Sequence, residues 1–383
     1  MTKKRRLWLC MLLAGAGTAG ALLTISEYLR EKEFSDFFWF GYCLLCGGGA
    51  IGTAVFTAAV LLILSLRYPR AARPLAATAD LLTAAALLAV PPIFWIQIWW
   101  DRTVPTTPTP VSAAHRTAFV GCSALVLLFL LLAVCALRKK AAPANAVCAL
   151  IGIGALIPIE LLLHITEHDE TPLTLSIGAA MYLLLIGASW AAHGSRRALP
   201  DALLWGALAA LLLRTVVPIG GEYPLPYPSS AGLSAQATAW LTAAGILTVL
   251  IGRYCAGRRS GHIVRAAGYG VTAAGLLAYA VGALSVLPTI EGAVRAAGLC
   301  CLAAAAIGQA VCAAKGRPMR GTCRLVPGTL SVAAVLAWAV TVPDQAPEPS
   351  FALRFALIDI SDSLAVPLVL LAVGIACADG EGK

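Results

Sequence analysis

Charge is what this sequence has least of. Charged residues make up 12% of the 383 residues, against about a quarter in a typical soluble domain. Hydrophobic residues make up 60%, and the mean hydropathy is +0.84. This scarcity of charge excludes an ordinary soluble globular protein. Strands in a membrane would alternate polar and apolar residues, whereas the apolar runs here are continuous and favour helices.

Long uncharged runs recur through the whole chain, and about 20 apolar residues suffice to cross the hydrocarbon core of a bilayer. The apolar segments cover roughly residues 7–26, 37–66, 74–98, 117–137, 144–164, 172–192, 201–218, 235–256, 264–287, 292–314, 325–342 and 363–378. The sequence therefore predicts an all-α fold, a polytopic transmembrane helical bundle of about 12 spans. Residues 1–383 would form a single integral membrane domain.

Acidic residues are fewer than basic ones, and the formal net charge is +9. The basic residues concentrate at the N-terminus and in every second connection, at Lys3–Arg6, Arg67–Arg73, Arg138–Lys140, Arg196–Arg197, Arg253–Arg265 and Lys315–Arg324. The connections between these are acidic or neutral. Such alternation follows the positive-inside rule and predicts that both termini are cytoplasmic. The basic excess is thus explained by topology, and nucleic acid is not expected as a partner.

The cysteines show no pattern of a disulfide framework, because most of the 12 lie inside apolar segments and no pair lies in the predicted outer loops. The pair Cys43 and Cys46 has the spacing of a redox or cluster motif. An Fe–S cluster needs four thiolates, however, so packing of small residues is the alternative interpretation. We expect no metal and no covalently bound cofactor.

The stretch Phe37–Leu66 joins an aromatic start to a Gly/Ala-rich run, which suits a helix packed inside a bundle. It also shows a weak sequence similarity to a later part of the chain. Thr57-Ala-Ala followed by Arg67-Tyr68 resembles Thr242-Ala-Ala followed by Arg253-Tyr254. A duplication of six helices, as in transporters built from two six-helix repeats, would explain the similarity. Chance similarity between Ala-rich helices would also explain it, and the two registers differ by one residue.

Ionisable residues inside apolar segments are costly in lipid and therefore informative. Glu160, His164 and His168 follow one another at one-turn spacing on one helix face. Arg214 is at similar predicted depth and is the natural partner of Glu160. The group Glu160, His164 and Arg214 predicts either a proton-handling or headgroup-binding site, or a buried ion pair beside interfacial histidines. Asp80 either reaches towards the cytoplasmic loops or lines a proton path.

The segment Trp99-Trp100-Asp101 ends the third span. It is typical of an aromatic belt at the membrane surface. It also resembles the tryptophan-rich segment of cytochrome c maturation proteins that handle haem, with His115 as a flanking histidine.

A family resemblance rests mainly on residues 7–100. After a first span and a short polar loop come Phe38-Trp39-Phe40-Gly41-Tyr42, then the run from Gly47 to Thr53, then a basic turn with Pro69 and Pro74. Gly154 to Pro158 with His164 downstream adds a second, fainter match. This pattern resembles the NrfD / polysulfide reductase membrane-subunit family, particularly the longer members found with hydrogenases and alternative complex III.

The resemblance implies a quinone-interacting integral membrane subunit of a respiratory oxidoreductase, multi-pass in the bacterial inner membrane. Residues 7–256 would form the NrfD-like bundle and residues 264–378 additional helices. The substrate would be menaquinone or ubiquinone, bound near the outer face at His164, with Glu160 and Arg214 added on physical grounds. Electrons would pass to or from an Fe–S or cytochrome subunit docked there, beside a separate catalytic subunit, and proton movement would be coupled to this transfer. The alternatives are a twelve-helix secondary transporter and a haem-handling protein.

Overall fold

The structure is a computed structural model that describes residues 15, 18, 50–88, 113–159, 179–180, 182–187, 189–190, 199–216, 229–254, 258–286, 290–317 and 365–377. Among these residues there are helices and turns and no strand. The helices are α1 (Ala50–Arg67), α2 (Ala72–Leu88), α3 (Ala113–Leu137), α4 (Ala144–Gly154), α5 (Leu199–Val216), α6 (Ser229–Tyr254), α7 (Arg258–Val286), α8 (Ile290–Ala314) and α9 (Ala365–Cys377). The prediction of an all-α fold is confirmed for this part of the chain.

Five helical stretches are long and apolar enough to cross a membrane. They are Pro69–Leu88, Phe119–Leu137, Ala237–Tyr254, Ser260–Val281 and Ala296–Ala314. Large apolar side chains such as Leu127, Ile263 and Val281 point outward from these helices, as lipid contact requires. The protein is thus of the helical membrane type. The count of about 12 spans and the cytoplasmic termini stay predictions.

The chain divides into two compact units, Met1–Ser195 and Arg196–Lys383. In the first unit, α1 packs on α2, α2 on α3, and α3 on α4. Helix α1 ends at Arg67 because Tyr68 precedes a proline and takes a non-helical backbone, with φ −113° and ψ 84°. A 3₁₀ turn, Pro69–Ala71, then leads directly into α2.

Small residues set the distance between α3 and α4. A Cβ atom added to Gly121 on α3 would lie 2.6 Å from Ile157 Cγ1, and one added to Gly154 would collide with the Leu125 side chain. A larger residue at either position would force the facing Ile157 or Leu125 side chain to move, so these glycines let the two helices approach closely, as small residues in lipid allow.

The second unit is built on an antiparallel hairpin of α6 and α7. A Cβ atom added to Gly245 would lie 2.5 Å from the backbone N of Thr272, and one added to Gly268 would lie 2.6 Å from that of Val249. Helix α8 packs on α7, and α9 packs on α5. Gln309 of α8 donates from Nε2 to the carbonyl of Ile375 in α9, at 3.1 Å. The predicted boundary between residues 256 and 264 falls within the α6–α7 hairpin, and that division stays a prediction.

Candidate functional site

Three helices of the second unit bring their ionisable residues into one buried cluster. Asp201 lies in the first turn of α5, Arg253 and Tyr254 in the last turn of α6, and Arg265 and Tyr269 in α7. Asp201 is 7% exposed and Arg265 is 9% exposed. We call these five residues the Asp201 cluster. A buried group of charges among apolar helices needs a physical explanation, because each charge would be costly alone.

The carboxylate of Asp201 is held at both oxygens. Arg253 Nε lies 2.5 Å from Asp201 Oδ1. The Tyr254 hydroxyl donates a hydrogen bond to Asp201 Oδ2 at 2.7 Å. Neighbouring residues on α6 therefore provide a cation and a hydroxyl to a single acid on α5. This contact ties the start of α5 to the end of α6.

Helix α7 adds a second pair of polar side chains. Arg265 Nη2 lies 2.9 Å from His262 Nδ1, and Arg265 Nε donates to the carbonyl of Gly261 at 3.3 Å. Because a guanidinium only donates, His262 Nδ1 accepts in this contact, and the imidazole carries its proton on Nε2. Tyr269 is buried beside both arginines and Asp201.

Local sequence explains why the cluster forms at this position. An acid in the first turn of a helix and a base in the last turn both interact favourably with the helix dipole, which fits Asp201 and Arg253. Gly252 gives the space needed, because a Cβ atom there would lie 2.9 Å from Cγ and from the backbone N of Arg265. The end of α6 can therefore lie directly against α7, with the arginine passing over the glycine.

Chemically, this arrangement has two uses. As a structural clamp it fastens the start of α5 to the end of α6, because one carboxylate oxygen accepts a hydrogen bond from Tyr254 and the other lies against the Arg253 guanidinium. As a switch it would release them, because neutralising Asp201 leaves Arg253 buried without its counterion. Within the described residues, no three His, Cys, Asp or Glu side chains are placed to hold a metal ion.

The predicted site residues are placed only in part. Glu160 and His164 lie outside the described residues, one and five positions after the described helical residue Ile159. Arg214 lies in the last turn of α5, and its side chain is also outside the description. Their meeting in one site stays a prediction, and so do the interpretations of Cys43, Cys46 and Trp99–Asp101.

Asp80 is placed on α2, half-buried and next to the buried face of that helix. Among the residues that the structure describes, no cation lies within ion-pair distance of its carboxylate. Reaching towards a basic partner is therefore not seen within this part of the chain, and the two interpretations of Asp80 stay open.

The Asp201 cluster is the feature that sequence reasoning missed. The positive-inside pattern explains Arg196–Arg197 and Arg253–Arg265 by topology alone, and Asp201 is not among the residues predicted from sequence. A usable signal exists. A single carboxylate just inside a basic loop, at the start of an apolar segment, is a natural counterion for an arginine at the same end of a neighbouring segment.

Comparisons of the chain with protein-family models, with curated proteins and with solved structures find no match in any of the three. Function is therefore argued from the helices, their buried charges and the sequence pattern.

Proposed function

We propose that the chain is a quinone-interacting integral membrane subunit of a respiratory oxidoreductase, in keeping with its resemblance to the NrfD / polysulfide reductase membrane subunits. The observation that carries the proposal is the row Glu160, His164 and His168, at one-turn spacing directly after the described helical residues that end at Ile159. A quinone partitions into the apolar part of the membrane, and its ring oxygens require polar groups at moderate depth. This row supplies them.

In this proposal each residue has a defined part. Reduction of a quinone to a quinol takes two electrons, which a partner subunit with Fe–S clusters or haem would supply, and two protons. His164 would donate a hydrogen bond to a ring oxygen and transfer a proton, because imidazole changes charge near neutral pH. Glu160 would pass protons inward from the outer loop, and Arg214 would stabilise its charge. The chain itself would hold no metal or covalent cofactor.

Replacing the proton-handling residues tests this assignment. We expect His164→Ala and Glu160→Gln to lower quinone-coupled turnover of the assembled complex about tenfold or more, the range typical of a proton-transfer group. Electron transfer among the partner's own cofactors should survive, since the variants leave those cofactors untouched. His193→Ala is the matched control and should retain turnover, because this histidine lies just after the predicted apolar segment 172–192. Full quinone activity in both site variants would show that the site lies elsewhere.

A twelve-helix secondary transporter is the second candidate. The division into two compact units favours it, because transporters are often built from internal repeats. The buried charge of the Asp201 cluster suits it as well, since such groups mark proton and ion pathways in membranes. Purification from its native membrane separates the two candidates. The subunit proposal requires co-purifying redox-active partners, whereas a transporter would be isolated without them.

The predicted location, multi-pass in the bacterial inner membrane with the site near the outer face, belongs to the proposal. Its support is the alternation of basic with acidic or neutral loops together with the apolar helices.

A further inference from the structure

We infer that the two units are copies of one helical unit, joined in tandem along the chain. This inference depends on neither candidate function. It starts from the ends of α3 in the first unit and α8 in the second. The first reads Val134-Cys-Ala-Leu-Arg-Lys-Lys140 and the second Val311-Cys-Ala-Ala-Lys-Gly-Arg317. Three identical residues are followed in each by a basic residue, any residue and another basic residue.

The backbones of these two ends match bond for bond. In α3, Arg138 N donates to Val134 O, Lys139 N to Ala136 O and Lys140 N to Cys135 O. In α8, Lys315 N donates to Val311 O, Gly316 N to Ala313 O and Arg317 N to Cys312 O. Each of the three hydrogen bonds in α8 lies the same number of residues after its counterpart in α3.

One residue in each end has a left-handed backbone, Lys139 with φ 56° and Gly316 with φ 60°. Among the described residues these are the positive φ values. Glycine is the usual residue in such a cap, and a lysine pays a steric penalty there. The first unit therefore has the same helix cap as the second, although its lysine is unfavourable in that conformation. A common origin of the two units explains this.

The helices that precede these ends repeat in the same order. In the first unit α1, α2 and α3 pack successively on one another, and in the second unit α6, α7 and α8 do so. Arg67 is the last residue of α1 and Tyr68 follows it, and Arg253 and Tyr254 are the last two residues of α6. The stretch between the Arg–Tyr pair and the Val-Cys-Ala run differs in length, because Val134 lies 67 residues after Arg67 and Val311 lies 58 residues after Arg253. Nine additional residues in that stretch of the first unit account for the shift in register between the two sets of matches.

The face of α3 that receives α4 also recurs on α8. On α3 this face presents Gly121 and, one turn later, Leu125. The corresponding positions on α8 are Gly298 and Leu302, both buried. If the units are copies, the apolar segment 325–342 packs on α8 as α4 packs on α3. If the spacing in sequence is the same as that between Gly121 and Gly298, Ala334 corresponds to Ile157 and Ser331 corresponds to Gly154.

The copies have diverged at the Arg–Tyr pair. Arg253 and Tyr254 bind Asp201, whereas Arg67 is exposed and Tyr68 is 54% exposed. The Asp201 cluster is therefore a property of the second unit.

Cross-linking in membranes tests the predicted contact. The full chain would carry Gly298→Cys with Ala334→Cys, with Cys300→Ser and Cys301→Ser to remove nearby thiols, and a protease site inserted after Arg320. We expect a short thiol cross-linker to hold the two fragments together after cleavage. Ala297→Cys, at an exposed position of α8, replaces Gly298→Cys in the control and should yield separate fragments.

A second pair, Leu302→Cys with Ser331→Cys, repeats the test where Gly298→Cys prevents folding. Cross-linking of either pair well above the control supports the duplication. Folded protein in which neither pair links, or in which the control links equally, overturns it, because segment 325–342 would then not occupy the position of α4.

Discussion

A carboxylate among membrane helices is stable when a cation accompanies it, and Asp201 has both the Arg253 guanidinium and the Tyr254 hydroxyl. Whether both partners are present matters more for stability than the net contribution of the intact pair. Replacing a buried pair as a whole is often nearly neutral, whereas removing one partner costs about 3–5 kcal/mol because the other charge stays buried. This asymmetry makes the role of the cluster measurable.

We therefore expect Asp201→Asn to lower the thermal unfolding temperature of the detergent-purified protein, by an amount corresponding to about 3–5 kcal/mol. Adding Arg253→Gln should restore part of the loss, because the double variant buries no unpaired charge. Asp80→Asn is the matched control, the same chemical change at a half-buried acid for which no ion pair is found in the described residues. Equal effects at Asp201 and Asp80 would show that the cluster does not hold the helices together.

At the scale of elements, the α6–α7 hairpin depends on close approach of the two backbones. Gly268→Ala would place a Cβ atom 2.6 Å from the backbone N of Val249, so the helices must move apart. We expect a loss of about 1–3 kcal/mol, typical of overpacking, measured as a lower unfolding temperature. Gly270→Ala on the same helix is the control, since a Cβ atom there meets nothing within 4 Å.

The Gly270→Ala variant should be neutral or slightly stabilising, because alanine favours a helix more than glycine does. If Gly268→Ala behaves in the same way, the hairpin tolerates separation and its glycines serve another purpose.

Many of the helices can be predicted from the sequence, because the length of the apolar segments and the basic turns between them indicate where each helix lies. The predicted segments 117–137 and 292–314 correspond to α3 and α8, whose last residues are Leu137 and Ala314. The beginnings are less accurate. Helix α6 begins at Ser229 and α7 at Arg258, each six residues before the apolar segment, because backbone hydrogen bonding continues a helix beyond its apolar part.

The candidate site is less readable than the helices. Spacing along one helix places Glu160, His164 and His168 on one face, since it depends only on helical period. Which side chains meet across helices depends on packing instead. Asp201 and Arg253 are far apart in sequence and meet because α5 packs on α6. The charge pattern offers Asp201 as a counterion for an arginine at the same end of a neighbouring segment, but it does not determine which segments pack together.

At the scale of the whole molecule, orientation in the membrane decides whether the proposed quinone site faces the outside. The basic loop Arg138–Lys140 follows α3, and the acidic loop Glu167–Glu170 follows the segment that begins with α4. Since basic loops remain cytoplasmic, these two loops should lie on opposite sides of the membrane. Lys139 and Lys140 are exposed at the end of α3, where an inserted tag would be accessible.

We expect a short epitope tag inserted after Asp169 to be labelled from outside in cells whose outer surface is accessible. The same tag inserted after Lys140 should be labelled only once the membrane is permeabilised. The two insertions flank the segment that begins with α4, so each is the control for the other. Labelling in the reverse pattern would place Glu160 and His164 near the cytoplasmic face. A quinone site supplied with protons from the outer loop would then be wrong, although the helical packing within each unit would be unaffected.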